Sequence, residues 1–146
     1  MRVTILVVAI GLLASCSPTP PPTVAPAPVM PFRVVATVKQ VMKGIVEPAS
    51  NALFAAAGEA PKDDAGWQAV EYNALAVVES ANLLMMDGRA IDQGEWMKHA
   101  TAMMDKAMVA VDAARAKDAA KLGETGDALY SACEDCHKLY LKAPIH

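Results

Sequence analysis

The chain has 146 residues, a formal net charge of −3, and 54% apolar against 20% charged side chains. That length suits one domain, and the mild acidity is a poor match for nucleic acid, whose phosphates call for a basic face. Gly-rich phosphate loops, a Gly-x-Ser-x-Gly elbow and a His-Glu-x-x-His pair are all missing from the sequence, so nothing in it marks an enzyme.

At the start, Met1 and Arg2 precede an apolar run from Val3 to Ala14, overlapped by Leu13-Ala14-Ser15-Cys16. This is the form of a bacterial lipoprotein signal with its lipobox, so residues 1–16 read as signal and Cys16 as the lipidated first residue of the mature chain. About a dozen apolar residues fall short of the roughly twenty that a membrane-spanning helix needs. An uncleaved anchor, or a secretory signal cut elsewhere, is the alternative. Each acyl CH₂ buried contributes about 0.8 kcal/mol, so several chains on Cys16 would anchor the protein firmly. Ser17, where a retention signal would have Asp, directs the expectation to the periplasmic side of the outer membrane. Loss of Arg2 with the signal makes the net charge −4.

Residues 17–31 hold seven prolines and no charge. Proline at that density prevents helix and core and favours extended polyproline, which makes this stretch a tether reaching up to about 45 Å.

The remainder, residues 32–146, is short of turn residues and rich in helix formers. Apolar residues recur at helical spacing in four segments. The first runs from about Arg33 to Ala57 and includes Val38, Val41, Met42, Ile45, Ala49 and Leu53 on its stripe. A second, from about Asp64 to Met86, is striped by Trp67, Val70, Ala74, Val77, Ala81 and Leu84. The third spans about Gln93 to Ala116 with Trp96, Ala100, Met103, Ala107, Ala110 and Ala114. A fourth spans about Asp118 to Lys142 with Leu122, Leu129, Cys133, Cys136 and Tyr140. Short links between four such helices predict an all-α, antiparallel up-and-down bundle. The many alanines on inner faces predict room for something large and flat. Pro48 predicts a kink between Gly44 and Pro48, Asp118 a cap for the fourth helix, and Pro144 its end.

Within the fourth segment, Ser131 to Tyr140 reads SACEDCHKLY. Cys133, Cys136 and His137 form Cys-x-x-Cys-His, the pattern of covalent c-type haem attachment. On a helix, positions i, i+3 and i+4 share a face, so two thiols reach two vinyl groups while the next imidazole faces the iron. A thioredoxin-like dithiol wants a preceding strand, and a zinc site wants a second pair of ligands. With Cys16 assigned to lipid and the other two to haem c, all three cysteines are used. Export also agrees with haem attachment, which takes place outside the cytoplasm.

With that motif on the last of four helices, the chain resembles the class II cytochromes c, over about Pro31 to Pro144. The cytochrome c′ superfamily has its haem motif near the C-terminus, and its low-spin branch places a methionine on the first helix as sixth ligand. The stretch Val38-Lys39-Gln40-Val41-Met42-Lys43 resembles that segment, which implies His137 and Met42 as axial ligands. Met42 packed in the core beside an open, five-coordinate site is the other arrangement, and it implies a gas-binding protein instead of an electron carrier. Tyr140 matches an aromatic that the family often has three residues after the histidine. Leu141 stands where a basic residue is expected, so Lys142 or Arg33 would have to meet a propionate. Pairing as a homodimer through the first two helices is a further implication of the resemblance. The functional expectation is a lipid-anchored monohaem carrier passing single electrons between exported redox partner proteins. A haem-free helical lipoprotein that binds metal through its two cysteines is the third reading. His99 reads as a surface histidine, Trp67 and Trp96 as core, and the other methionines as core or edge residues rather than copper ligands.

Overall fold

The computed structural model describes residues 32–141. The signal with Cys16, the tether at 17–31, Lys142 and Pro144 lie outside the described residues. Among those described, the structure is helical and without strands. The first arm consists of α1 (Val38–Val41), a π turn (Met42–Val46) and α2 (Glu47–Gly58), joined by residues that are themselves in right-handed helical conformation. The other three arms are α3 (Asp64–Met85), α4 (Glu95–Ala116) and α5 (Ala119–Tyr140). Each arm packs on two others: the first on α3 and α5, and α4 likewise on α3 and α5.

Pairs of residues from opposite ends set the directions. Arg115 meets Glu71 at 2.8 Å and Lys117 meets Asp64 at 2.7 Å, which joins the end of α4 to the start of α3. Trp96, at the start of α4, donates its indole N–H to the Leu84 carbonyl near the end of α3 at 2.8 Å. Its ring meets that of Tyr140, at the end of α5, edge to face with centroids 5.1 Å apart. Ala57, late in α2, lies against Gly126, early in α5. Neighbouring arms therefore alternate in direction, as the sequence predicts for an up-and-down bundle.

The helix starts follow local chemistry. Thr37 accepts from the Gln40 N–H at 3.2 Å, and the Gln40 side chain accepts from the Thr37 N–H at 2.9 Å. This reciprocal box satisfies two otherwise orphan donors. It starts the first arm five residues later than the apolar spacing predicts, leaving Arg33 and Val34 exposed ahead of it. Asp63 caps α3 through the Gly66 N–H and Asp118 caps α5 through the Lys121 N–H, the latter as expected. Between α4 and α5 there is room for two residues, and Lys117 takes a left-handed φ of 52° to close α4. Gly88, at φ 85°, supplies the same hand in the α3–α4 link, where a side chain would strain the backbone.

The first arm departs from the expected stripe in an instructive way. Val41 is 1% exposed, yet Ile45 is 39% exposed and Val46 only 6%. The cause is the π turn, in which the Glu47 N–H donates to the Met42 carbonyl, five residues back. One extra residue per turn moves the buried position from 45 to 46, and the stripe resumes at Ala49 and Leu53. Pro48 lies directly after the turn. It has no N–H for the Gly44 carbonyl and its ring crowds that group, so a regular α-helix cannot pass through here without loss.

The second and third stripes are buried as predicted. Their alanines are divided: Ala74, Ala107 and Ala110 are almost wholly buried between helices, whereas Ala100 lines the cavity described below. Every buried side-chain polar atom among the described residues has a partner. Arg89 is the instructive case, 8% exposed and held by carbonyls, with its Nε on Ala36 and its Nη1 on Leu83, both at 2.8 Å. It fastens the strand of chain before α1 to the end of α3.

Candidate cofactor site

A cavity of about 650 Å³ opens between the arms, within the roughly 300–1,000 Å³ of ligand and cofactor sites. Its lining is largely apolar. The first arm contributes Val38, Met42 and Val46, α3 contributes Leu84, and α4 contributes Trp96, His99, Ala100 and Met103. From α5 come Cys133, Cys136, His137 and Tyr140. Lys39, Lys43, Glu47 and Glu134 add charge at the lining.

The shape follows from residue size along α2 and α5. A Cβ built on Gly126 would fall 2.8 Å from the Ala57 Cβ, so here the two arms nearly touch. Farther along, Phe54 and the exposed Tyr130 meet edge to face at 6.1 Å and line one end of the cavity. Beyond these aromatics lie Met42 on one arm and the Cys-x-x-Cys-His turn on the other, both lining the cavity.

The motif is wholly helical, as its spacing requires, and Cys133 and Cys136 are free and half-buried. Burial pushes both thiols up, Cys136 to about 11 with a further contribution from Cys133. Both are therefore protonated at neutral pH. His137 is exposed at the cavity wall and Met42 is half-buried, on the first residue of the π turn.

Tyr140 is tied to another part of the fold through its hydroxyl. Its hydroxyl donates to Asp92 in the α3–α4 link, which pushes the phenol up to about 12 and holds the Asp92 carboxyl below its usual range. Asp92 also accepts from the N–H groups of Gly94 at 2.7 Å and Trp96 at 3.1 Å.

The structure thus brings Met42, Cys133, Cys136 and His137 to one cavity, and it adds residues that the sequence reading passed over. His99 is not a surface residue: its side chain is 18% exposed, it lines the cavity, and its ring stands 6.5 Å from that of Tyr140. The spacing Trp96, His99, Ala100, Met103 was the available signal. Lys39 and Lys43, rather than Arg33, are the cations at the lining. Asp92 had no sequence signal beyond its place in a link. Met103 lines the cavity as well, while Met108 is exposed.

Among the described residues no cluster of three or more His, Cys, Asp and Glu side chains is placed for a bare metal ion. The donor set that is present, two thiols and an imidazole on one turn with a thioether on another arm and apolar walls, fits a covalently held haem by its chemistry. No helix among the described residues is long and apolar enough to cross a membrane. Neither a protein-family model nor a curated protein matches the chain.

Proposed function

We propose that this protein is a lipid-tethered monohaem c-type cytochrome of class II character, passing single electrons between exported redox proteins. The observation that carries this reading is the shared lining: Cys133, Cys136 and His137 from α5 border the same apolar cavity as Met42 from the first arm. Cys133 and Cys136 would hold the haem covalently, each thiol adding its S–H across a vinyl C=C with no leaving group and no net redox change. His137 would hold the iron through an imidazole nitrogen and Met42 through its thioether sulfur. The bound group supplies reversible one-electron exchange between Fe(III) and Fe(II).

The protein's own part is to tune and to shelter. A thioether is a soft donor that favours ferrous iron, so Met42 raises the potential relative to a second imidazole. Val38, Leu84 and Met103 give the cavity apolar walls, which would keep water from a bound iron. Lys39 and Lys43 stand where they can meet carboxylates at the cavity edge. Cys16 carries the lipid, the proline-rich stretch after it is the spacer, and the domain works on the periplasmic side of a membrane.

The test is spectroscopic. Haem stain should survive denaturing electrophoresis, and the ferrous protein should be six-coordinate and low-spin, and slow to take carbon monoxide. A high-spin ferric spectrum with ready uptake would replace the carrier with the five-coordinate gas-binding protein. Loss of covalent haem despite co-expression with maturation enzymes would overturn both. Cys16→Ser should release the protein from membranes.

A further inference from the structure

We propose that Asp92 is a positioning residue for His137, acting through Tyr140 to fix where the last turn of α5 lies. Asp92 is the meeting point of three partners. One carboxylate oxygen accepts from the main-chain N–H groups of Gly94 and Trp96, and the other accepts the Tyr140 hydroxyl. A single side chain thereby joins the start of α4 to the end of α5.

Tyr140 is well suited to transmit this. It lies three residues past His137 in the same turn, which the Leu141 N–H closes on the His137 carbonyl at 3.0 Å. Its ring is wedged edge to face against Trp96 at 5.1 Å and against His99 at 6.5 Å. Trp96 is itself fixed by its indole bond to Leu84. The rest of that turn has little to hold it: His137, Lys138, Leu139 and Leu141 are all exposed, and Lys138 pairs only with Glu134 and Asp135 of its own helix. Among the described residues, the bond to Asp92 is the polar side-chain tie between the C-terminal half of α5 and the α3–α4 link.

This matters because the axial donors are divided between arms. His137 and both cysteines belong to α5, and Met42 to the first arm. On the cytochrome reading, on which this inference rests, the Met42 bond lasts only while the end of α5 keeps its place in the bundle. Helix ends fray unless tied, and Asp92 is the tie.

The experiment uses full-length protein matured with haem, and compares the parent with Asp92→Ala, Asp92→Asn, Tyr140→Phe and the Asp92→Ala/Tyr140→Phe double variant. Carbon monoxide must displace Met42, so its uptake by the ferrous protein reports on the tie. Uptake should quicken roughly tenfold in Asp92→Ala and in Tyr140→Phe, the scale set by losing one hydrogen bond to a charged group. The double variant should be no faster than the quicker single one, and Asp92→Asn, which keeps an oxygen acceptor, should lie between. Unchanged uptake and an unchanged low-spin band in folded Tyr140→Phe would overturn the inference, leaving Asp92 a purely structural residue. Full additivity in the double variant would overturn it too. Should Asp92→Ala fail to fold, Tyr140→Phe decides, because it keeps the ring against Trp96. A parent protein without covalent haem would overturn the cytochrome reading, and this inference with it.

Discussion

Met42 on the first arm and His137 on α5 line one cavity although they lie at opposite ends of the domain's sequence. If the iron bridges them, Met42→Leu removes the donor and keeps the volume. Such an exchange costs less than about 1.5 kcal/mol in a core, so the variant should fold normally, turn high-spin and fall in midpoint potential. Met42→Ala should do the same with a greater loss of stability. A folded Met42→Leu protein that stays low-spin at the parent potential would move the sixth ligand elsewhere, with His99 the next residue to change.

Pro48 bears on the same methionine through the backbone. Pro48→Ala supplies the missing N–H and permits regular α bonding where the π turn now runs. Losing the extra residue turns the segment before it by about 100° relative to α2. Met42 turns with that segment, towards the stripe of Ala49 and Leu53 and away from its present place at the cavity lining. The expected result is unchanged or higher helicity by circular dichroism together with a weakened low-spin band. Retention of the full band would show that Val46 and Leu53 hold the π turn without the proline.

The approach of α2 to α5 should be intolerant of one methyl group and indifferent to another. Gly126→Ala places a Cβ 2.8 Å from that of Ala57 and forces the arms apart, an overpacking that costs about 1–3 kcal/mol. At Gly123 the nearest contact would be an ordinary 3.6 Å, to the Ala57 carbonyl. There the gain in helix propensity, up to about 1 kcal/mol, should prevail. Thermal unfolding of the two variants should therefore shift in opposite directions.

The Asp92–Tyr140 bond should be insensitive to pH over a wide range. Asp92 is held below its ordinary 3.8, so its contribution to stability is present above that value and is lost as pH falls through the depressed one. Tyr140 is raised from 10.0 to about 12, so its contribution is full below 10 and is lost as pH climbs through the raised value. The difference in melting temperature between the parent and Tyr140→Phe should be flat from pH 4 to 10 and should shrink on both sides. A difference that disappears near neutrality would point to some other partner for the phenol.

By itself the sequence determined the helices, their caps at Asp118 and the buried stripes of α3 and α4, because 3.6-residue periodicity and capping are local. It also determined the Cys-x-x-Cys-His turn, whose geometry lies within five residues. What it left undecided was set by neighbours distant in the chain. The shift from Ile45 to Val46 needed Pro48, a crowded carbonyl and a core to reward the wider turn. The cavity's place was decided by Ala57 against Gly126 at one level and by aromatics at the next, and His99 and Asp92 gained their positions only when α4 met the end of α5. Periodicity names the face of a helix that is buried, but only packing between helices decides which side chains share a cavity, because that depends on where along its length each arm crosses the others.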